Sequence, residues 1–569
     1  MRYHALACDY DGTLAVHGRL LPATADALGR LRETGRKLVM VTGRQVDDLV
    51  VVCPDLTMFD SVVAENGAVI YRPKTREVRL LAEAPPRAFA EALAARGVEP
   101  VGVGHVIVAT WHPHETVVLE EIRRLGLELQ VIFNKGAVMV LPSGTNKATG
   151  LAAALHELGL SAHNTVGVGD AENDHAFLSL CECGVAVANA LPTLKERADL
   201  VTVGDHGEGV IELVDAMITS DLSQVAPRLG RHDIPVGSDS AGRELTLPAY
   251  GASVLIAGTS GSGKSTLAAG ILERLSDKGY QYCIIDPEGD YSDYDGAVVL
   301  GDSSHAPGAA EVVQLVETGQ NAVANILALG MEQRPPFFEM LFPRLQEVRA
   351  RTARPHWILV DETHHLLPSS WDASSLALPQ ERHGLMLITV HPEHVSATVL
   401  NSVDAIFVIG QSPAETLKAF AHALGEPPPP ISADPLEPGE VLVWWLRPRR
   451  APVRVHSIPS RGERRRHVRK YAEGQLGPDK SFYFKGREGK LNLRAQNLTV
   501  FLQVADGVDD DTWLHHLREG DYSQWLRESI KDSALADVVS DIEQAARPSP
   551  KETRAKIRAA IEERYTAPS

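Results

Sequence analysis

The sequence is poor in cysteine, and its few cysteines follow no regular spacing. The 569 residues include Cys8, Cys53, Cys181, Cys183 and Cys283. An odd number of sparsely placed cysteines argues against a disulfide framework and favours a reducing, cytoplasmic compartment. Cys181 and Cys183 lie close together, but no second Cys/His pair lies nearby in the sequence to complete a zinc site.

Long apolar runs and an excess of positive charge are also missing. No stretch approaches the roughly 20 apolar residues that a bilayer-spanning helix needs, so no membrane association is expected. The N-terminal segment MRYHALACDYDGTLAV lacks the basic start and cleavage site of a signal peptide, and it is interpreted as the first strand of a folded domain. The formal net charge of −18 argues against a surface built mainly to bind nucleic acid.

The length and the patterning together predict a multidomain α/β protein, because one hydrophobic core does not normally support 569 residues. Residues 1–218 alternate short β-branched runs with helical patterns, which indicates a mostly parallel sheet covered on both faces. Residues 219–236 lose this rhythm and are predicted to be a linker. The alternation resumes in residues 237–459, a second α/β domain. Residues 460–475 are interpreted as a basic linker and residues 476–569 as a mostly helical C-terminal module.

Two acidic residues, Asp9 and Asp11, follow the first predicted strand, HALAC. Gly12 permits the chain to turn there, so that both carboxylates can face one pocket. One carboxylate can then attack a phosphorus atom while the other handles the proton of the leaving oxygen. Alone, this short motif is only a modest signal of phosphoryl chemistry.

Three further motifs follow in order along the chain. Thr42 ends the strand KLVMVTGR, where its hydroxyl would bind phosphate oxygens. Lys147 opens a predicted helix and would neutralise phosphate charge. Asp170 and Asp174, in GDAENDH after the strand TVGV, supply carboxylates for Mg²⁺, a hard ion that prefers oxygen ligands.

With four motifs in order at predicted strand ends, the N-terminal part resembles the haloacid dehalogenase superfamily, specifically its Cof-like (type IIB) phosphatases. The resemblance covers about the first 215 residues and implies a Rossmann-like core. It implies that Asp9 is the nucleophile and forms an aspartyl-phosphate, with Asp11 acting first as general acid and then as base. Thr42 and Lys147 would hold the phosphoryl group.

The same resemblance implies a metal site and a cap domain. The Mg²⁺ ligands would be Asp9, the Asp11 carbonyl and Asp170, with Asp174 supporting them. A small α/β cap at about residues 84–141 would choose the substrate. The segment Glu-Asn-Gly at 65–67 matches a loop on the substrate side of this family.

A glycine-rich turn at residues 258–265, GTSGSGKS, fits the phosphate-binding P-loop pattern without deviation. It follows the strand ASVLIA and precedes the helical pattern TLAAGILERL, which is the required context. Its glycines let backbone N–H groups surround the phosphates at a helix N-terminus, and Lys264 would contact the β- and γ-phosphates while Ser265 ligates Mg²⁺. The predicted nucleotide-binding residues of this segment are Gly258, Gly261, Ser262, Gly263, Lys264, Ser265 and Thr266.

The apolar run WILV leads into a second acidic pair, Asp361 and Glu362. Asp361 would join the Mg²⁺ shell, and Glu362 would activate a water, which favours hydrolysis over kinase chemistry. The strand LITV ends at His391, a candidate sensor of the γ-phosphate.

At these residues, and at IIDPEGDY, ILVDETHHLLP and PGEVLVWW, the segment 240–459 resembles the HerA–FtsK-type ATPases. The resemblance implies ATP binding and makes this domain the place where an oligomer would form. Three departures separate it from the DNA-translocating members. His391 replaces the usual glutamine, the segment between Asp286 and Asp361 is short, and the N-terminal barrel is missing.

The leading hypothesis is therefore an enzyme that uses Mg²⁺ and ATP. It would hydrolyse a small phosphorylated metabolite, expected to be sugar-phosphate-like, with its activity coupled to an ATP-binding module. A second hypothesis is an ATP-driven nucleic-acid-processing machine with an end-trimming phosphatase, which the basic stretch at 461–470 supports and the net charge of −18 opposes. A third is a kinase–phosphatase pair, against which Glu362 argues.

Overall fold

The computed structural model describes residues 1–53, 55–225, 229–259, 261–292, 294–370, 384–431, 434–447, 450–461, 481–486, 491–530, 532–544 and 549–565. The chain divides into two compact units. The first contains two α/β domains, and the second contains a mostly helical module from residue 459 onward together with residues 265–273 and 293–295. The predicted multidomain α/β architecture is confirmed.

The N-terminal domain consists of a large sheet with covering helices and an inserted smaller sheet. Its elements are β1 (Ala5–Cys8), β2 (Ala15–Val16), β3 (Arg19–Leu20), α1 (Pro22–Glu33), β4 (Lys37–Val41), α2 (Val46–Val52), β5 (Ser61–Ala64), β6 (Val69–Arg72), β7 (Glu77–Leu80), α3 (Arg87–Ala95), β8 (Gly102–Val103), β9 (Val108–Trp111), α4 (Glu115–Leu125), β10 (Leu129–Asn134), β11 (Ala137–Pro142), α5 (Lys147–Glu157), β12 (Thr165–Gly169), α6 (His175–Leu180), β13 (Cys183–Ala186), α7 (Pro192–Arg197), β14 (Leu200–Val201) and α8 (His206–Ser220).

The large sheet has the strand order β14-β13-β12-β1-β4-β5-β6-β7. Its central strands are parallel, and β6 and β7 are antiparallel at one edge. All four residues of β1 are fully buried, as expected for a strand covered on both faces. Because parallel strands end at the same edge, the segments after β1, β4 and β12 lie side by side.

The inserted sheet, between β7 and α5, has the antiparallel order β10-β11-β9-β8. Its strands and the helices α3 and α4 enclose a separate apolar core that includes Phe89, Leu93, Val118 and Val140. This insertion occupies the part of the chain where a cap is expected, about residues 84–141, and is called the cap below.

The second domain is built on an eleven-stranded sheet. Its elements are β15 (Ile234–Asp239), β16 (Glu244–Leu247), β17 (Val254–Gly258), α9 (Lys264–Asp277), β18 (Tyr282–Asp286), β19 (Val298–Leu300), α10 (Ala309–Glu317), β20 (Ala322–Asn325), α11 (Arg334–Thr352), β21 (Trp357–Val360), α12 (Thr363–Leu366), β22 (Leu385–Thr389), α13 (Ala397–Leu400), β23 (Ala405–Ile409), α14 (Pro413–Ala423), β24 (Glu440–Trp445) and β25 (Val453–Ser457).

The strand order of this sheet is β16-β15-β25-β24-β23-β17-β22-β21-β18-β20-β19. The seven strands from β23 to β19 are parallel, and the other four pair antiparallel at one edge. Strand β22 lies between β17 and β21. The segment 219–236, predicted to be a linker, includes a short 3₁₀ turn at Gly230–His232 and the start of β15.

The two domains of the first unit meet where the strands of both sheets begin. Tyr280, just before β18, donates its hydroxyl hydrogen to the Glu182 carboxylate, just before β13, at 2.8 Å. Arg354, just before β21, donates to the carbonyl of Gly159, before β12, at 2.8 Å. We call this contact the domain interface. The opposite ends of these sheets carry the candidate sites described below.

The second unit has its own aromatic core. Its elements are β26 (Phe482–Phe484), β27 (Leu493–Ala495), α15 (Leu498–Gly507), α16 (Asp510–Glu519), α17 (Asp521–Glu528), α18 (Ser533–Glu543) and α19 (Pro550–Tyr565). Trp513 and Tyr522 stack with ring centroids 4.5 Å apart, and Leu517, Trp525 and Leu526 are buried with them. Of the basic stretch at 461–470, only Arg461 lies within the described residues. Among the described residues no helix combines the length and the apolar character that crossing a bilayer requires.

Candidate active sites

Three carboxylates and a lysine converge at the carboxyl end of the N-terminal sheet. Asp9 follows β1, whereas Asp170 and Asp174 follow β12, and all three are buried. The Lys147 ammonium donates to Asp9 Oδ1 at 2.5 Å and to Asp174 Oδ1 at 2.6 Å. Lys147 occupies the first turn of α5, whose start is fixed by a capping box between Asn146 and Thr149. The sequence-predicted residues therefore meet at one place.

The electrostatics of this cluster favour an additional cation. Burial raises the pKa of Asp9 to about 8, with a further increase from the charges of Asp174 and Asp170, although Lys147 opposes the shift. Burial would lower the pKa of Lys147, but the charges of Asp174 and Asp9 raise it. One oxygen from each of the three aspartates can be chosen so that all lie within 4.8 Å of one another. Such a set fits a hard divalent ion such as Mg²⁺.

The Asp11 carboxylate points away from this cluster and towards Arg44. The guanidinium of Arg44 donates to both Asp11 oxygens, at 2.6 and 2.7 Å. Thr42 lies buried at the end of β4, the strand beside β1, and its hydroxyl oxygen accepts the backbone N–H of Arg44 at 3.1 Å. The sequence predicted Asp11 and Thr42, but it did not indicate that Arg44 would hold the acid.

The cap contributes a second lysine that the sequence reading missed. Lys135, in the turn between β10 and β11, places its ammonium 2.6 Å from Asp170 Oδ2 and 3.1 Å from the carbonyl oxygen of Asp11. Gly12 makes room for this approach, because a Cβ added there would lie 2.6 Å from the Lys135 nitrogen and 2.4 Å from Asp170 Oδ2. A Lys-Gly pair between two apolar strands is the only signal of this residue in the sequence.

The segment Glu-Asn-Gly at 65–67, which was expected on the substrate side, anchors the cap. Glu65 is fully buried, and its carboxylate accepts the backbone N–H groups of three successive cap residues at 2.7–2.9 Å: His105, Val106 and Ile107. Gly67 packs so tightly that an added Cβ would lie 1.9 Å from the carbonyl oxygen of Asn146. This segment therefore fixes both the cap loop and the start of the helix that carries Lys147.

The glycine-rich turn of the second domain lies between β17 and α9, as predicted. Gly258, Gly261 and Gly263 have φ values of 159°, 73° and 98°, and the last two are in the left-handed region that favours glycine. Lys264 begins α9, and its ammonium donates to the carbonyl of Thr259 at 3.1 Å. Burial lowers the pKa of Lys264, against the raising effect of Glu362 and Asp361. The remaining predicted residues of this segment, Ser262, Ser265 and Thr266, lie in the turn and in the first turn of α9.

The acidic pair stands at the carboxyl end of β21. Asp361 is buried, and burial together with the charges of Glu362, Asp286 and Asp290 raises its pKa well above the usual range, although the Glu362 backbone N–H opposes the shift. Glu362 has the unusual φ of 38°, and its buried Oε2 makes no hydrogen bond within the described residues but lies 3.4 Å from His364 Nδ1. An oxygen in this position can still accept a hydrogen bond from a water.

His391 follows β22. This strand lies between β17, which leads into the glycine-rich turn, and β21, which leads into Asp361. Its backbone N–H donates to Thr389 Oγ1 at 3.1 Å, and its half-exposed ring lies 3.2 Å from Glu393. The structure therefore places His391 at the same edge of the sheet as the other predicted residues of this site.

Comparison with known proteins finds a family model for each of the two α/β domains. A family model described as haloacid dehalogenase-like hydrolase matches residues 6–99 and 105–214, and one described as the central domain of helicase HerA matches residues 248–353. A phosphoglycolate phosphatase of Methanothermobacter thermautotrophicus is 33% identical over 220 residues, which are 37% of this chain and 96% of that protein. A phosphoglycolate phosphatase of Haloarcula marismortui is 34% identical over 218 residues, 37% of this chain and 95% of that protein.

Among solved structures, a haloacid dehalogenase-like hydrolase from Bacteroides thetaiotaomicron aligns with 38% of this chain and 99% of its own, at 20% identity and a TM-score of 0.35. The chain belongs to the haloacid dehalogenase-like hydrolases, as a phosphatase of that family joined to a HerA-like ATPase domain. The N-terminal domain is called the phosphatase domain below, and the second is called the ATPase domain.

Proposed function

We propose that the phosphatase domain is a Mg²⁺-dependent phosphomonoesterase that acts on small phosphorylated acids, with 2-phosphoglycolate as the leading candidate. The observation that carries this proposal is the bridge from Lys147 to Asp9 and Asp174, at 2.5 and 2.6 Å. It places a buried cation beside a carboxylate that can act as nucleophile. A carboxylate-bearing substrate is favoured because the names of the similar proteins specify one. Lys135 and Arg44, each paired with an aspartate of the site, are the cations that could bind it.

The chemistry would proceed in two balanced steps. The ionised Asp9 carboxylate attacks phosphorus, the bond to the ester oxygen breaks, and Asp11 gives its proton to that oxygen. Water then attacks the aspartyl-phosphate, Asp11 takes the proton, and phosphate leaves with Asp9 restored. Thr42 and Lys147 would hold the phosphoryl oxygens throughout. Because Arg44 binds both oxygens of Asp11, the acid must turn away from Arg44 before it can reach the leaving group.

Mg²⁺, when bound by Asp9, the Asp11 carbonyl and Asp170, would neutralise phosphate charge and favour the ionised form of Asp9. Asp174 would support this set, because its Oδ2 accepts the backbone N–H groups of Asp170 and Ala171 at 2.8 and 2.9 Å. The raised pKa of Asp9, about 8, gives a reason for the requirement, since a protonated Asp9 cannot attack phosphorus.

The experiment measures phosphate release from 2-phosphoglycolate, glucose 6-phosphate and p-nitrophenyl phosphate, with and without Mg²⁺. We expect turnover only with the metal, with the highest kcat/KM for 2-phosphoglycolate and a loss of about 1,000-fold or more in Asp9→Asn. Full activity of Asp9→Asn would refute the nucleophile assignment. A higher kcat/KM for glucose 6-phosphate would instead favour the hypothesis of a sugar-phosphate substrate.

For the ATPase domain we propose ATP hydrolysis at the glycine-rich turn. The backbone of Gly258, Gly261, Ser262 and Gly263, the first helical turn at Lys264, Ser265 and Thr266, and the γ-phosphate sensor His391 would bind the nucleotide. Ser265 and Asp361 would hold Mg²⁺. Glu362, whose buried Oε2 makes no hydrogen bond within the described residues, would orient the attacking water.

Two variants separate ATP binding from hydrolysis. We expect Lys264→Ala to lose ATP binding, and Glu362→Gln to keep it while hydrolysis falls about 100-fold or more. Equal hydrolysis by Glu362→Gln and the wild type would remove Glu362 from the mechanism. Transfer of the γ-phosphate to an acceptor instead of water would favour the kinase–phosphatase hypothesis.

A further inference from the structure

Lys135 adopts a backbone conformation that its residue type does not favour. The two-residue turn between β10 and β11 has φ values of 47° at Lys135 and 87° at Gly136. Turns of this kind prefer Asn or Gly at both positions, because other side chains are strained in the left-handed region. A lysine at the first position therefore indicates a functional role for its side chain at the hairpin tip.

The contacts of Lys135 indicate what this role is. Its ammonium is 2.6 Å from Asp170 Oδ2 and 3.1 Å from the carbonyl oxygen of Asp11. The proposed function assigns the same carbonyl oxygen and the same carboxylate to Mg²⁺. The ammonium lies against Gly12, where even a methyl group would collide with it. The cap hairpin therefore inserts a positive charge into the place that the metal would take.

An ammonium ion and Mg²⁺ compete for this place. Mg²⁺ binds carboxylate and carbonyl oxygens at about 2.1 Å, so an ammonium held by the same carboxylate and the same carbonyl oxygen competes with the ion for these ligands, and the two cations repel each other. Metal entry must move Lys135 away from Asp170. The side chain is half-exposed, so it can swing outward without unfolding the hairpin.

We propose that Lys135 is a cap cation that competes with Mg²⁺ for Asp170 and the Asp11 carbonyl, is displaced when Mg²⁺ binds, and then binds the carboxylate of the substrate. This inference rests on the proposed function and assigns the cap residue that selects the substrate class. When the substrate carboxylate binds Lys135, the lysine leaves Asp170, and this favours Mg²⁺ binding. By thermodynamic reciprocity, Mg²⁺ favours binding of the anion to the same degree.

The direct test is Mg²⁺ titration calorimetry on the full chain without nucleotide or substrate. Lys135→Asn and Lys135→Gly both suit the left-handed turn and remove the charge, so both variants are expected to fold. We expect each to bind Mg²⁺ about five-fold more tightly than the wild type, the value of a partly exposed ion pair. Arg123→Asn, on the cap helix α4, removes the same charge away from the site and should leave the affinity unchanged. Asp170→Asn should abolish Mg²⁺ binding at this site, so the heat that it removes is the heat of binding at the site.

Kinetics supply the second readout. Lys135→Asn should lower kcat/KM about ten-fold for 2-phosphoglycolate and less than about three-fold for p-nitrophenyl phosphate, which has no carboxylate. Unchanged Mg²⁺ affinity in both Lys135 variants would overturn the displacement. An equal loss on both substrates would overturn carboxylate recognition. If the wild type shows no saturable Mg²⁺ binding, the proposed metal site itself fails, which is a different result from failure of the lysine.

Discussion

Tyr280 of the ATPase domain donates a hydrogen bond of 2.8 Å to the Glu182 carboxylate of the phosphatase domain. The same carboxylate oxygen lies 2.8 Å from His163 Nδ1, and Arg2 binds the other oxygen. The ring of His163 stacks on Tyr280 with centroids 3.7 Å apart. Glu182 is almost fully buried, and these partners lower its pKa to about 2 although burial alone would raise it. The domain interface is therefore organised around one buried anion.

Removing that anion should weaken the first unit. Glu182→Gln keeps the side-chain volume but leaves Arg2 without its buried partner. We expect the free energy of unfolding in urea to fall by about 3–5 kcal/mol. Glu77→Gln removes an exposed partner of Arg72 and should cause little change, because surface pairs contribute little. A Glu182→Gln variant as stable as the Glu77→Gln variant would contradict this account.

Acid should destabilise the same interface. Burial lowers the pKa of His232 to about 4, against an unfolded value near 6.5. Between these values the unfolded chain takes up a proton that the folded protein does not, so the free energy of unfolding falls as the pH drops from 6.5 to 4. After allowance for partial exposure, we expect His232 to account for about 1–3 kcal/mol of this fall. Below pH 4.5, protonation linked to Glu182 adds to the loss.

Urea unfolding at several pH values measures this effect. His232→Gln should flatten the stability profile between pH 4 and 6.5. His305→Gln, a replacement on the exposed surface, should leave the profile unchanged. If His232→Gln follows the wild-type curve, another group is responsible for the acid sensitivity.

Gly67 and Gly97 provide a matched pair for testing close packing against backbone strain. Both have positive φ, at 104° and 78°, but only Gly67 would place a Cβ against neighbouring backbone, whereas nothing lies within 4 Å at Gly97. We expect Gly97→Ala to cost about 1 kcal/mol from φ strain alone, and Gly67→Ala about 3 kcal/mol or more from strain and overpacking. Gly67→Ala should also reduce phosphatase turnover, because it displaces the start of α5. Equal stability losses would show that the close contact is relieved without cost.

Lys147 should be necessary for folding as well as for activity. Lys147→Met leaves Asp9 and Asp174 buried without their shared cation, so we expect a loss of about 3–5 kcal/mol and no measurable turnover. Millimolar Mg²⁺ should restore part of the stability but not the activity, since the metal replaces the charge and not the position of the ammonium. Lys74→Met, at an exposed ion pair, is the control. Thermal unfolding with and without Mg²⁺ provides the measurement, and the absence of any Mg²⁺ effect on Lys147→Met would contradict the metal site.

Much of each site could be predicted from the sequence. The ends of buried strands can be recognised from the apolar pattern, and parallel strands end at a common edge of the sheet. Strand ends identified Asp9, Asp170 and Asp361 as candidates, and the family resemblance implied that Asp9 and Asp170 bind one metal ion. Lys147 was identifiable because it starts a helix immediately after the polar segment SGTN.

The residues that sequence reasoning missed depend on how separate elements approach one another. Lys135 reaches Asp170 only because the cap closes over the core, and no local pattern encodes that distance. The carboxylate of Glu65 binds backbone N–H groups about 40 residues away in the cap, a contact that leaves no side-chain signature. His163, Glu182 and Tyr280 lie just before different strands of two sheets, so their meeting follows from domain packing alone.

The domain interface also limits how the two reactions can communicate. It lies where the strands begin, whereas Asp9 and Asp361 stand where β1 and β21 finish, about 13 Å further along for four-residue strands. The two candidate sites lie at the sheet edges opposite the domain interface. A product that leaves one site is therefore diluted in bulk water before it can enter the other. Direct handover of a phosphorylated intermediate is excluded by this geometry, and any influence of ATP on ester hydrolysis must pass through the domain interface as a mechanical displacement.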